Sequence, residues 1–120
     1  MQIINLTPHT ITLQSADGSR TNLSPRIGAD DKPNPARVSS TPGALRQPDG
    51  CPVPVAAPTV FGEVVGVPSP VEGVIYVTSA LVAQAARRVD VVSPGTGPQD
   101  GAIRNDQNQI EAVTRLVAWV

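Results

Sequence analysis

The segment from Ser79 to Arg115 carries the residue types best suited to hold an anion. Arginine binds phosphate or carboxylate oxygens through paired N–H donors, and the loop SPGTGP, residues 93–98, can offer exposed backbone N–H groups. Asp90 would orient an arginine or accept a hydrogen bond from a base or a ribose. The alternative is that these arginines only pair with nearby acids at a solvated rim. The predicted ligand contacts in this segment are Arg88, Asp90, Ser93, Thr96, Arg104 and Arg115.

A further candidate lies near the N-terminus, where Thr7-Pro8-His9 separates two β-type runs. The proline predicts a bend in the chain. Thr7 and His9 are then either ligand contacts or hydrogen-bonding residues of the turn, and we include both among the candidate contacts.

Groups that could perform catalysis are sparse. His9 is the only histidine and Cys51 the only cysteine, so no cluster has the spacing of a metal site. No G-x-S-x-G elbow is present, and SPGTGP lacks the Gly-Lys-Ser/Thr of a P-loop. The acids Asp30 and Asp31 are typical of a solvated turn. We therefore expect a binding protein rather than an enzyme, with no metal and no cofactor.

The composition indicates one small domain with a thin core. The 120 residues suit a single domain, residues 1–120. Aromatic residues are limited to Phe61, Tyr76 and Trp119, beside 13 prolines and 10 glycines. Valine, alanine and isoleucine must therefore build the core, and each buries less surface than an aromatic ring. A core of this kind favours a homo-oligomer.

Charge and hydropathy exclude several partners. The net charge of −1 argues against DNA binding, which needs a broad basic surface. Eight of the nine cationic residues are arginine, which fits either anion recognition or a GC-rich genome. No signal peptide and no apolar run long enough to span a membrane is evident. A lone cysteine excludes an intrachain disulfide and fits a reducing cytosol.

Short strands and a single helix are predicted along the chain. The helix is capped by Thr78 or Ser79, with Arg87 and Arg88 in its last turn, and its apolar face comprises Leu81, Val82, Ala85 and Ala86. Asp17-Gly18 predicts a hairpin turn. The valines at 89, 91 and 92 predict a short strand that Ser93-Pro94-Gly95 interrupts. Further strands are predicted at Gln2–Leu6, Thr10–Gln14, Thr21–Leu23, Val60–Val67 and Gly73–Thr78, with a terminal hairpin of Ala102–Arg104 and Gln109–Val120.

Residues 24–58 are polar and rich in proline. They predict a long irregular excursion with one strand near Ala36–Ser39, and such excursions are usually functional or mobile. The expected fold class is α+β: a small mixed domain dominated by antiparallel strands, with one short helix and long Pro-rich loops.

Three ordered segments carry a resemblance to a known family. They are INLTPHTI, then GEVVGVPSPVEGVIYVTSALVAQA, and finally RRVDVVSPGTGP followed by AIR, QI and VTRLV. Together they resemble the phage anti-Thoeris sponge proteins, the first-described type of Thoeris anti-defence protein. The resemblance covers about residues 1–15 and 60–119, and residues 24–58 lie outside it.

The resemblance implies a non-enzymatic function in the cytoplasm of an infected bacterial host. Members of this family bind cyclic ADP-ribose isomers made by bacterial immune enzymes and keep them from their effector. Some also hold the cyclic oligonucleotides of a second defence pathway, CBASS, at a separate site. The family assembles dimers into hexamers, with ligand sites between subunits. By motif match, the ligand would contact Arg88 to Asp90, Arg104 and Arg115.

This chain departs from the family at the position where an aromatic side chain near the helix would stack on adenine. It offers only Leu81, Val82 and Ala83 there, so Arg88 or Phe61 would have to stack instead. Two other functions stay open. One is a nucleotide-processing enzyme with Asp90 or Asp100 as base, and the other is a small phage structural or assembly protein with the apolar last strand as its contact.

Overall fold

Short strands dominate the fold of the computed structural model, which describes residues 1–120. The only helix is α1, Ala80–Ala86. Five of the seven strand ladders are antiparallel, which confirms the predicted mixed, strand-dominated class. The strands are β1 Gln2–Asn5, β2 Ile11–Gln14, β3 Arg20–Leu23, β4 Arg37–Thr41, β5 Leu45–Arg46, β6 Val55–Ala56, β7 Val60–Val65, β8 Val74–Val77, β9 Val91–Pro94, β10 Ile103–Arg104, β11 Ile110–Ala112 and β12 Leu116–Ala118.

The largest sheet has four strands in the order β1-β8-β9-β12. β1, β8 and β9 are parallel, and β12 adds to β9 in the antiparallel sense. Parallel neighbours need a crossover connection, which α1 provides between β8 and β9. Strands of a parallel sheet are covered on both faces and read as continuous apolar runs, as the sequence VIYV of β8 does. The sequence did not predict these two parallel pairs, because an apolar run does not specify the direction of its partner.

The helix begins as predicted and ends one residue earlier than its arginines. Ser79 is the N-cap, and its Oγ accepts a hydrogen bond from the Val82 N–H at 3.3 Å. Arg87 is the C-cap in a left-handed conformation, with φ +52°. The prediction that Arg87 and Arg88 lie in the last turn is therefore wrong, since both follow the helix. The buried face is also different from the predicted one: Val82 and Ala83 are buried, whereas Leu81 is 48% exposed.

The core is small and the molecule is elongated. Only 14 of the 120 residues are buried, and the central cluster comprises Leu6, Ala36, Tyr76, Val82, Ala83 and Val91. The radius of gyration is 17.1 Å, whereas a compact domain of this length has a radius of about 13.6 Å. A large part of the apolar surface therefore remains in contact with solvent.

The N-terminal hairpin follows the prediction. β2 pairs with β3 in the antiparallel sense, and Gly18 has φ +88° in the turn, a conformation that glycine adopts without strain. The Asp17 carboxylate accepts a hydrogen bond from the Ser19 hydroxyl at 2.7 Å and from the Ser19 N–H at 2.9 Å. These bonds lower the pKa of Asp17.

Residues 24–58 contain more regular structure than predicted. The expected strand near Ala36–Ser39 is confirmed as β4, which pairs with β7. Beyond this ribbon the chain forms a second hairpin from β5 and β6, which was not predicted because each strand has only two residues. We refer to residues 42–58, which contain this hairpin, as the arm.

The predicted terminal hairpin is correct only in its first half. β10 pairs with β11, but the last strand does not continue to the C-terminus. At Val113 the chain turns to β2. The Val113 N–H donates to the Thr12 carbonyl, and the Val113 carbonyl accepts from the Gln14 N–H, each at 2.9 Å. β12 then joins β9, with Leu116 opposite Pro94. The expected break at Ser93-Pro94 is therefore wrong too, since both residues belong to β9.

Candidate ligand-binding site

Arg88 and Asp90 form an ion pair with two hydrogen bonds, which we call the Arg88–Asp90 clamp. Arg88 donates from Nε to Asp90 Oδ1 at 3.0 Å and from Nη2 to Asp90 Oδ2 at 2.6 Å. Its Nη1 donates to the Pro68 carbonyl at 3.0 Å. The hydrogen bonds from Arg88 lower the pKa of the Asp90 carboxyl. Because the guanidinium is bound on three sides, the clamp ties the end of α1 to the turn before β8.

A second predicted contact, Arg115, is paired in a similar way. Its Nε donates to Asp100 Oδ1 at 2.8 Å, and its Nη2 contacts the same carboxylate and the Gln99 carbonyl. Asp100 Oδ2 also accepts from the Gly97 N–H at 2.7 Å. The bonds from Arg115, and then that from Gly97, lower the pKa of Asp100. The loop amide expected to bind a phosphate is thus occupied by the chain's own acid.

Ser93 and Thr7 have structural partners. Ser93 is buried in β9, and its Oγ accepts a hydrogen bond from Trp119 Nε1 at 3.0 Å. The Thr7 hydroxyl donates to Asn5 Oδ1 at 2.6 Å. Asn5 is itself buried and donates through Nδ2 to the carbonyls of His9 and Leu23, each at 2.8 Å. This network shapes the Thr7-Pro8-His9 bend, so the turn interpretation of Thr7 has a direct geometric basis.

His9 and Thr96 are brought together although 86 residues separate them in sequence. They line a cavity of about 360 Å³ at the meeting point of the bend, the end of β9 and the terminal hairpin. Glu111 also lines this cavity and forms an ion pair with Arg20 at 3.3 Å. Thr10, Ile11, Thr12, Pro94, Ile110 and Val113 complete the wall.

Arg104 lies on a different surface. It lines a cavity of about 430 Å³ with Asn105, Asp106, Gln107 and Glu111, and its Nη1 donates to the Asn108 carbonyl at 2.8 Å. The predicted contacts are thus distributed over several places within one chain. None of the cavities contains more than two of them, so one chain does not assemble the single cradle that their order along the sequence suggests.

A site that the sequence did not reveal lies between β7, the end of α1 and the C-terminus. We call this the aromatic cavity. It has a volume of about 410 Å³ and is lined by Thr59, Phe61, Gln84, Ala85, Arg87 and Trp119. Two of the three aromatic residues of the chain meet here, and the lining contains no carboxylate.

The local structure explains how these side chains converge. Phe61 lies on β7, and Gln84 and Ala85 occupy the last turn of α1. The left-handed conformation of Arg87 ends the helix beside them. Trp119 follows β12, and its bond to Ser93 fixes the position of the indole.

Arg87, which was not a predicted ligand contact, differs from the predicted contacts Arg88, Arg104 and Arg115. Its side chain is exposed and forms neither a hydrogen bond nor an ion pair within the chain. The guanidinium therefore keeps all five N–H donors for an external acceptor. The one sequence signal for this site was the scarcity of aromatic residues, which had made Phe61 a candidate to stack on a base.

The chemistry of the aromatic cavity suits a ligand with a flat ring and a negative charge. Aromatic faces stack on nucleobases irrespective of their identity. An arginine fork binds phosphate oxygens or stacks on a ring. The Gln84 amide and the Thr59 hydroxyl add both donors and acceptors.

Comparison of the chain with protein-family models, with curated proteins and with solved structures finds no match in any of the three. The single helix has seven residues, and the structure contains no helix with the length and apolar character needed to cross a membrane. His, Cys, Asp and Glu side chains form no group of three or more that could hold a metal ion.

Proposed function

We propose that the protein is a phage anti-defence protein that binds and sequesters the signalling nucleotides of bacterial immunity. Its ligands would be cyclic ADP-ribose isomers, cyclic oligonucleotides or both, held intact in the cytoplasm of the infected host. The observation that carries this proposal is the aromatic cavity, which is lined by Phe61, Trp119 and Arg87, an arginine without an ion pair in the chain.

The ligand class follows from the pairing of rings with a cation. A nucleotide presents a flat base and a charged phosphate within a few ångströms of one another. Phe61 and Trp119 can contact the base, and Arg87 can bind the phosphate or pyrophosphate through charge-assisted hydrogen bonds. The cavity volume of about 410 Å³ lies within the range of pockets that hold small ligands.

Sequestration without cleavage agrees with the state of the acids. A nucleotide-processing enzyme would use Asp90 or Asp100 as its base, as considered above. Both carboxyls have a lowered pKa because arginine donates hydrogen bonds to them. A carboxylate stabilised in its charged form is a weak proton acceptor, so these groups favour holding the structure over catalysis.

Self-association is part of the proposal. The chain has an accessible surface of 8102 Å², whereas a folded monomer of 12.4 kDa exposes about 6,100 Å². Covering the excess with further copies would stabilise the thin core, and dimers that assemble into hexamers would satisfy this requirement. The scattered positions of Thr96, Arg104 and Arg115 also fit a site to which a neighbouring subunit contributes.

The test is a binding panel followed by release of the ligand. Isothermal titration against cyclic ADP-ribose isomers and cyclic di- and trinucleotides should identify at least one ligand. Heating the complex to denature the protein should then release that nucleotide with its mass unchanged. A cleaved product would support the enzyme, and binding to none of the panel would leave the structural or assembly protein as the better proposal.

A further inference from the structure

The hydrogen bond between Ser93 and Trp119 joins the four-stranded sheet to the aromatic cavity. Trp119 comes directly after β12 and lines the cavity, whereas Ser93 belongs to β9 and is only 2% exposed. Trp119 Nε1 donates to Ser93 Oγ at 3.0 Å. One wall of the cavity is therefore attached to a buried strand by a side-chain hydrogen bond.

The strand register explains how the two side chains meet. Val117 lies opposite Ser93 in the β9–β12 ladder, and side chains two residues apart along a strand point to the same face. Trp119, two residues after Val117, thus emerges on the face that carries Ser93. A diagonal neighbour of this kind is within reach of an aromatic side chain, and the hydrogen bond shows that Trp119 keeps this direction beyond the last paired residue.

Few other polar contacts hold this end of the chain. Trp119 and Val120 follow the last residue of β12, and neither takes part in a backbone hydrogen bond of the loops and turns. Trp119 is 42% exposed and Val120 67%. Chain ends without such ties are usually poorly ordered, so the bond to Ser93 is the directional contact that keeps the indole in one place.

The needs of the sheet alone do not explain a serine at position 93. Its neighbours Val91 and Val92 are buried apolar residues of the same strand, and burying a hydroxyl costs free energy unless the group forms a hydrogen bond. The indole is the hydrogen-bond partner of the Ser93 hydroxyl. A small apolar residue would fill this place in the sheet equally well, so the hydroxyl has its use in the cavity.

The same bond decides how Trp119 can meet a ligand. An indole has one polar hydrogen, on Nε1, and no acceptor, and Ser93 already binds that hydrogen. Only the ring surface remains, and aromatic faces stack on bases irrespective of their identity. Any selection among bases by hydrogen bonds is then left to the other polar groups of the cavity, such as the Gln84 amide and the Thr59 hydroxyl.

We propose that Ser93 is a positioning residue of the aromatic cavity. It holds the Trp119 indole in place to stack on the base of a bound nucleotide, and it does not contact the nucleotide itself. The inference rests on the proposed function for the identity of the ligand. It gives Ser93, which the sequence predicted as a ligand contact, a role exerted through Trp119.

A double-mutant cycle tests whether Ser93 acts through the indole. Ser93→Ala removes the acceptor, and Trp119→Phe removes the donor but keeps an aromatic ring. Ser93→Ala should weaken binding of cyclic ADP-ribose or cyclic di-AMP, measured by isothermal titration, by about 3- to 10-fold, the equivalent of one neutral hydrogen bond. In the double variant, Ser93→Ala should add nothing to the loss that Trp119→Phe causes alone.

Fluorescence tests the positioning without a nucleotide, because Trp119 is the only tryptophan of the chain. In Ser93→Ala the emission should shift to longer wavelength and acrylamide should quench it more strongly, since the released indole meets more solvent. Thr78→Val is the matched control. Thr78 is buried, and its hydroxyl bonds to the carbonyls of Ser79 and Val92, so its loss should lower the melting temperature and leave both emission and affinity unchanged.

Two results would overturn the proposal. One is unchanged emission and quenching in a Ser93→Ala variant that circular dichroism shows to be folded. The other is a pair of affinity losses, from Ser93→Ala and Trp119→Phe, that add up in the double variant. A wild-type chain that binds neither nucleotide counts against the proposed function, and the fluorescence of the same samples still decides whether Ser93 positions the indole.

Discussion

Arg87 and Arg88 are neighbours in sequence, but they belong to regions with opposite properties. In the Arg88–Asp90 clamp, the guanidinium is bound by a carboxylate and a carbonyl, and the side chain is 27% exposed. In the aromatic cavity, Arg87 is exposed and has no partner, and its neighbours are rings and neutral polar groups. The left-handed backbone conformation of Arg87, which ends the helix, separates the two side chains.

The difference shows why counting arginines does not locate a ligand site. A guanidinium that already satisfies an internal carboxylate would have to break charge-assisted bonds before it could bind a phosphate. An unpaired guanidinium beside an aromatic ring loses only water. We therefore expect the two regions to respond to mutation in different measurements, one in affinity and the other in stability.

The largest effect is expected from Arg87→Ala. It should weaken binding of the nucleotide identified in the panel by about 10- to 100-fold, because a hydrogen bond to a charged group contributes about 1.5–3 kcal/mol. The melting temperature should change little, since the side chain has no partner in the chain. Isothermal titration and differential scanning calorimetry measure the two quantities.

Arg37→Ala is the matched control for this change. Arg37 is exposed on β4, lines no cavity and has no ion pair, so its removal should leave the affinity unaltered. Arg104→Ala provides a second comparison. A larger loss of affinity in Arg104→Ala than in Arg87→Ala would move the site from the aromatic cavity to the cavity at the terminal hairpin.

A smaller effect, on stability, is expected from Arg88→Ala. The change removes both bonds to Asp90 and the bond to the Pro68 carbonyl, and should lower the free energy of unfolding by about 1–3 kcal/mol. Urea denaturation measures this loss. Because Arg88 lines no cavity, nucleotide affinity should stay close to that of the wild type. A large loss of affinity in a variant that remains folded would restore Arg88 to the ligand site.

The smallest effect is expected from lowering the pH, which should reduce the stability that the Arg88–Asp90 clamp contributes. Hydrogen bonds from Arg88 lower the pKa of Asp90, so the folded state binds a proton less readily than the unfolded state. The stability from the clamp is fully present above the unfolded-state pKa, about 3.9, and is lost as the pH falls through the lower folded-state value. The difference in unfolding free energy between wild type and Arg88→Ala should thus be full at about pH 7 and reduced at about pH 3. A difference independent of pH would mean that the bond to Pro68, rather than the ion pair, supplies the stability.

Local features of the fold were predicted well because they depend on few neighbouring residues. The Ser79 cap, the turn at Gly18 and the strand β4 are of this kind. The continuous last strand was predicted wrongly, since residues 110–120 contain no glycine, proline or other turn residue to mark an interruption at Val113. The contact that interrupts it, the pairing of Val113 with β2, is made across about one hundred residues of chain and leaves no local signal.

The sequence by itself determined which side chains this protein has: many arginines, few aromatic rings and few catalytic groups. The tertiary structure decided which of those side chains are available to a ligand. It bound Arg88 and Arg115 to Asp90 and Asp100, and it brought Phe61 and Trp119 to the unpaired Arg87. The physical reason is that the availability of a charge or a ring depends on what lies within a few ångströms of it in space. Pairing and burial are set by the folded chain as a whole, whereas residue type and spacing record only what the chain has to offer.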